Sequence, residues 1–307
     1  MGIFFRDYES AGSGIAKNAP KKTGAALFFD ILFRKLWLIT GVNMLYYIFF
    51  IPLVIAFAVL SFVQNYTAVI VTIAAMLVIF AVNIGPATTA LMRIMRSFVI
   101  QRHTFVIRDF FRAYRRNFKK GAALGLLSVL IYVSAAASLY VYPQLAAGSG
   151  SRIWYLPMII TLSLSIVVTL MSFYAYLMLT ATDLSLKDLI KNSFALAFVA
   201  LKTNLIALLI VAVILVGMLF MLLYATPLFM LVTPFMPAAL MGFIVCFLCY
   251  PVIQKYVINP YYTSIGQINP ELLDAGDEID EEAVFEDMGG KEKPIEKRKK
   301  GRGKRIS

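Results

Sequence analysis

The residues in this chain best able to bind a solute are hydroxyls. Ser165, Thr169, Ser172, Tyr176 and Thr180 recur every three or four positions, so a helix carries them on one stripe. Turned toward a bundle interior, the stripe could line a polar cavity and hydrogen-bond a sugar-like solute. Small hydroxyl residues also let membrane helices approach and bond across their contact. That packing use is the commoner one and is preferred here. A second feature is the group Asn83, Gly85 and Pro86. A proline within a helix lacks the amide donor and crowds the preceding turn. A kink or a break is therefore expected here, and a break would free a carbonyl near Asn83 for a ligand, as in discontinuous transporter helices. A kink that turns the chain into its next segment, which membrane helices accommodate readily, is the preferred reading.

Other chemistry is sparse. Cys246 and Cys249 have Cys-x-x-Cys spacing, but both sit in an apolar run with no strand signal beside them. They read as packing residues rather than a redox pair. His103 has no second imidazole to complete a metal site. Gly12-Ser13-Gly14 follows no strand and opens no phosphate loop. After Met1-Gly2, Arg6 stands where N-myristoylation needs Ser or Thr. No metalloprotease, nucleophile-elbow or Walker pattern occurs. The expectation is a protein that is not an enzyme, with no catalytic residue, no metal and no cofactor.

The elements that hold these residues follow from composition. Of 307 residues, 60% are apolar and 15% charged, with mean hydropathy +0.79. Soluble domains carry about 25% charged residues, so lipid must be the solvent for most of this chain. No charge occurs between Lys35 and Arg93, room for two crossings of roughly 20 residues each. The only polar break there is Gln64-Asn65-Tyr66. Similar blocks follow, broken around Gly148–Arg152 and at Pro227, Pro234 and Pro237. The expected spans are about 36–63, 67–91, 122–146, 154–180, 203–224 and 237–254. None of these windows contains an ionisable group of the kind a proton relay needs. Sites for sodium or a neutral solute, built from carbonyls and hydroxyls, stay open.

Lysine and arginine set the orientation. Twenty-eight of them lie in the two terminal regions and the loops 93–120 and 183–202, against Arg152 alone in the opposite turns. The positive-inside rule then places both termini of a multi-pass membrane protein in the cytoplasm. The polar segment before residue 36 lacks a signal-peptide pattern, so the first apolar run is expected to be a retained helix.

The loops carry structure of their own. Ile107, Phe110, Phe111, Tyr114 and Phe118 share one helix face, with Arg108, Arg112, Arg115, Arg116, Lys119 and Lys120 on the rest and Thr104 as N-cap. This basic surface helix, about 104–120, should lie on anionic inner-leaflet lipids. Its aromatic face is continuous, which favours membrane over nucleic acid. A less basic version spans 183–202, and a shorter one surrounds Phe28, Phe29, Leu32 and Phe33 within a cytoplasmic segment 1–35. The fold class expected is an all-α membrane protein of six transmembrane helices. They form three hairpins, each preceded by an amphipathic cytoplasmic helix, within a domain spanning 36–268. Residues 269–307 run from acidic to basic with few apolar side chains and should be disordered.

The succession Gly12-Ser13-Gly14-Ile15, Lys17, Pro20-Lys21-Lys22, Phe28-Phe29, Arg34-Lys35-Leu36-Trp37 and Asn43 leads to Gly85-Pro86-Ala87-Thr88-Thr89-Ala90-Leu91. Arg108-Asp109-Phe110-Phe111-Arg112 and Asn117-Phe118-Lys119 follow. Over roughly residues 1–265 this pattern resembles the YesL family, membrane proteins of Gram-positive bacteria defined as a domain of unknown function. The resemblance implies an integral membrane protein, with some members associated with carbohydrate uptake, and it brings no catalytic residues. Two functions stand. One is a transport-associated protein, permease-like or accessory to a transport complex. The other is a scaffold or regulator whose basic cytoplasmic face binds lipid or a membrane protein partner.

Overall fold

A computed structural model describes residues 22–273, and among them every regular element is helical. Six stretches are long and apolar enough to cross a membrane: Gly24–Phe62, Tyr66–Val99, Phe118–Ser149, Arg152–Ala181, Leu201–Tyr224 and Pro237–Ser264. The six-span, all-α architecture expected from the charge-free blocks is the one observed. Gly12-Ser13-Gly14 and the charged run after Leu273 lie outside the described residues.

The first stretch is α1 (Gly24–Tyr47), a 3-10 turn, and α2 (Ile51–Phe62). Pro52 stands in the first turn of α2, where a missing amide donor costs nothing. Asn65 caps α3 (Tyr66–Val99), its side chain accepting from the Ala68 amide at 3.1 Å. Then come α4 (Val106–Arg116) and α5 (Phe118–Ser149), which ends at Gly150 with φ +65°. The second half holds α6 (Tyr155–Ala181), α7 (Leu186–Val199), α8 (Leu201–Tyr224), the short α9 (Thr226–Val232) and α10 (Pro237–Ile253). A π turn carries α10 into α11 (Asn259–Ser264), and α12 (Pro270–Leu273) follows.

The helices outrun the apolar windows. α1 begins at Gly24, so Phe28, Phe29, Leu32 and Phe33 form its early turns and no separate helix precedes the first span. α3 continues past residue 91 through Arg93 and Arg96. Neither segment contains a helix breaker, and a charge does not interrupt the backbone ladder. The chain leaves α3 only near Gln101, at φ 55°. α4 is shorter than 104–120, and its cap is Phe105 rather than Thr104. Asp109 accepts from the Phe105 amide at 3.0 Å, whereas the Thr104 hydroxyl donates to the Arg102 carbonyl at 3.3 Å.

The core is concentrated at the end of the bundle that carries Arg93, Arg96 and Lys120, here the charged end. Met95, Phe98, Tyr174, Leu177, Phe243 and Tyr250 are fully buried there. Toward the opposite, far end, large apolar side chains such as Phe57, Phe62, Ile70, Tyr140, Val216 and Leu223 are exposed. Apolar surface on this scale suits lipid rather than water.

Two contacts fix how the spans sit. At the α3–α5 crossing the backbones touch. A Cβ added to Gly85 would lie 1.9 Å from the Gly121 carbonyl oxygen, and one on Gly125 would lie 2.7 Å from the Gly85 nitrogen. Only glycine permits that approach. In α1, buried Asn43 donates to the Thr233 and Pro234 carbonyls at 2.9 and 2.7 Å and accepts from the Ala239 amide at 2.9 Å. It thereby holds the α9–α10 turn against the first span and satisfies an orphan amide at the start of α10. The prolines of that turn remove donors that would otherwise need partners.

Candidate functional site

The most demanding chemistry lies at the charged end, between α3, α10 and α12. Arg96 projects from α3 toward Tyr250 of α10, and its Nε donates to the Tyr250 hydroxyl at 2.8 Å. Its Nη1 donates to the Thr180 carbonyl at 3.1 Å. Its Nη2 donates to Glu271 in a direct ion pair, and the Tyr250 hydroxyl donates to the other carboxylate oxygen. Gln254 donates to that second oxygen at 3.2 Å. The two charged side chains are only 8% and 9% exposed. Burying charge is costly unless it is paired and hydrogen-bonded, and here both conditions hold. Burial pushes the Glu271 carboxyl up, but the Arg96 charge, with hydrogen bonds from Tyr250 and Gln254, outweighs it and holds Glu271 below the ordinary carboxylate value.

Sequence reading missed this pair. Arg96 falls beyond the apolar window of the second span and reads in sequence as a loop charge. Glu271 falls in the acidic run after Asn269. The structure seats residues 269–271 against the bundle: Asn269 is buried, its Nδ2 donates to Asn259 Oδ1 at 2.9 Å, and its Oδ1 accepts from the Glu271 amide at 3.0 Å. Arg96 lies outside the second apolar window, 67–91, yet in the same helix, which extends far enough to bury an arginine.

The hydroxyl stripe on α6 turns largely inward to its own helix. Ser165 donates to the Leu162 carbonyl, Thr169 to Ser165, and Ser172 to Thr169, at 2.7–2.8 Å. Thr169 also bonds across to Tyr132 of α5 at 3.0 Å. Ser172 and buried Tyr176 border a cleft of about 320 Å³ that also receives Tyr46, Thr88 and Tyr132. Tyr46 and Thr88 share a hydrogen bond of 2.9 Å there. Ser165 and Thr169 do not line it. Among the described residues, every buried side-chain nitrogen and oxygen has a partner.

The helix does not break at Gly85-Pro86; α3 runs through both. Gly85 serves the contact with α5, and the Thr88 and Thr89 hydroxyls bond back to the Ile84 and Gly85 carbonyls at 2.8 and 3.0 Å. Asn83 bonds the Ile79 carbonyl at 2.7 Å and accepts from the Tyr114 hydroxyl at 2.5 Å, which ties α4 to α3. The apolar stripe of α4 is therefore divided. Phe110 is fully buried, Tyr114 stacks on Phe49 at 5.0 Å, and Ile107 and Phe111 stay exposed. Of the basic residues, Arg108 lies 4.5 Å from the Phe105 ring centroid, Arg116 pairs with Asp183 at 3.3 Å, and Lys120 donates to the Leu184 carbonyl at 2.7 Å. Arg112, Arg115 and Lys119 are exposed. Cys246 and Cys249 are buried as free thiols.

A family model described as "Protein of unknown function, DUF624" matches residues 36–139. The match takes in Asn43, the Gly85–Gly121–Gly125 contact and Arg96, and it stops before Tyr250 and Glu271. Searches of curated proteins and of solved structures return no match.

Proposed function

We propose that this chain is a membrane protein of the YesL type, serving as an accessory, partner-binding component of a solute-uptake system rather than as its conduit. The observation that carries this is the packing of the charged end. Phe98, Tyr174, Leu177 and Tyr250 fill the space where the spans converge, and Arg96 and Glu271 close on each other within it. Most of the α6 hydroxyls are spent on their own helix, which suits packing. The lysine and arginine distribution favours a cytoplasmic charged end in a bacterial cell membrane. The link to carbohydrate uptake is what the YesL resemblance implies, and a role without catalysis fits the same features. Photo-crosslinkers at the exposed far-half positions Val216 and Leu223 test the idea in cells. A discrete adduct with one membrane protein is expected. Adducts with lipid alone would overturn it.

A second reading, solute binding within the membrane, is favoured by the cleft that gathers Tyr46, Thr88, Tyr132, Ser172 and Tyr176. Ser172→Cys separates the two. Rapid labelling by a small polar thiol reagent supports a water-filled cleft, and protection supports the accessory role.

A further inference from the structure

Where the end of α3, α4 and the end of α6 meet, they leave a polar cleft of about 280 Å³. Four arginines line it from three segments: Arg93 of α3, Arg102 of the connecting turn, and Arg112 and Arg116 of α4. Asp109 and Asp183 also face it, and both are committed. Asp109 accepts from the Phe105 amide and lies 3.7 Å from Arg108, and Asp183 pairs with Arg116. Arg93 makes only a long contact of 3.5 Å to the Thr180 carbonyl, and Arg112 has no ion pair among the described residues. The Glu271 carboxylate is spent on Arg96. Among the described residues, two guanidinium groups thus enter one cleft without a direct ion pair.

We propose that this cleft binds an anionic phosphate group, carried by a lipid headgroup or by a soluble phosphoester. Guanidinium forks match phosphate oxygens and can bind them in pairs. The neighbouring hydroxyls already donate elsewhere: Thr180 to the Leu177 carbonyl and Thr182 to the Met178 carbonyl, each at 2.8 Å. Guanidinium groups outnumber the neutral donors left beside them, at His103 and Asn117, so the cleft favours charge over a neutral solute. Asp109 and Asp183 are already engaged by Arg108 and Arg116, whereas a phosphate offers oxygens in several directions to Arg93 and Arg112. The site is held by protein packing, because Phe110 is fully buried and the Tyr114–Asn83 bond fixes α4 on α3. It does not depend on the accessory role proposed above.

The full-length protein in neutral detergent tests this. One arm counts retained phosphatidylglycerol against phosphatidylcholine by native mass spectrometry, and the other titrates inorganic phosphate against chloride at matched ionic strength. Binding in the first arm alone identifies a lipid headgroup, and binding in the second identifies a soluble phosphoester; either supports the site. Arg93→Gln and Arg112→Gln should each weaken binding by about tenfold, the loss of one charge-assisted contact. Arg115→Gln, on the same helix but outside the cleft, should leave it unchanged. Arg112 is exposed, so its variant keeps the fold even if the Arg93 variant does not. No binding in either arm, or an equal loss in Arg115→Gln, would overturn the proposal.

Discussion

Removing Glu271 and removing Arg96 should have very different costs, although the two residues form one ion pair. Arg96 sits within α3 and cannot leave the bundle, so Glu271→Ala strands a guanidinium in a site where its side chain is 8% exposed. At an effective dielectric near 20, opposite charges in contact attract by about 4 kcal/mol. Water entering beside the vacated α12 segment returns part of that, which leaves a net loss of about 2–3 kcal/mol, near the low end for breaking a buried pair. Arg96→Met places a similar volume without charge on α3. Glu271 then returns to solvent at the edge of the bundle, and the cost should stay within about 1 kcal/mol. The double variant should match Arg96→Met alone, giving a coupling of about 2 kcal/mol between the sites. Equilibrium unfolding in mixed micelles, titrated with a denaturing detergent, measures all four proteins on one scale. Equal costs for the two single variants, or a double variant equal to their sum, would refute the reasoning.

The carboxyl of Glu271 also predicts a pH response. Its folded value lies below the ordinary 4.5, so its contribution is complete above pH 4.5 and is lost as pH falls through the lower folded value. Spin labels at Gln267 and Ile107, both exposed, should keep their separation down to about pH 4.5 and broaden only below it; broadening at pH 6 would contradict the assignment. Gly85→Ala should force α3 and α5 apart and cost about 3 kcal/mol or more in the same unfolding assay. Gly217→Ala, which meets nothing within 4 Å, should be neutral or mildly stabilising. Asn43→Ala removes three hydrogen bonds at the α9–α10 turn and should cost about 2–3 kcal/mol, with faster amide exchange at Ala239 as its local signature. Protection at Ala239 equal to that of the parent protein would remove Asn43 from that role.

The spans were legible because lipid imposes a simple rule: long runs without charge must be helices. The Gln64-Asn65-Tyr66 turn and the α4 and α7 helices were legible for similarly local reasons. What could not be read locally was pairing across distance. Arg96 and Glu271 are 175 positions apart, and each sits in a run of like charges that reads as solvated. Asn43 was visible as a lone amide in an apolar run, but its partners at Thr233, Pro234 and Ala239 follow only from the turn it holds. The α3–α5 contact did leave a trace. Gly121 and Gly125 are spaced as a small-xxx-small pair, and Gly85 sits beside Pro86, whose missing amide donor is the more conspicuous signal. The hydroxyl stripe was correctly placed on one helix, yet its periodicity says nothing about whether each hydroxyl bonds outward or to its own preceding turn.

The glycine crossing divides α3 into two unequal arms. Tyr66 lies about 29 Å from Gly85 along the helix, and Arg96 about 16 Å on the other side. A helix pressed backbone-to-backbone against its neighbour at one point can rock about that point more readily than it can slide past it. A rotation of ~5° would move the Tyr66 tip by ~2.5 Å and the Arg96 end by ~1.4 Å in the opposite sense. The far arm is the one bathed in lipid, so changes in bilayer thickness or lateral pressure act on the long side of this lever. On such a pivot, a displacement imposed on the long arm would arrive at the Arg96 end reduced in size and reversed in direction.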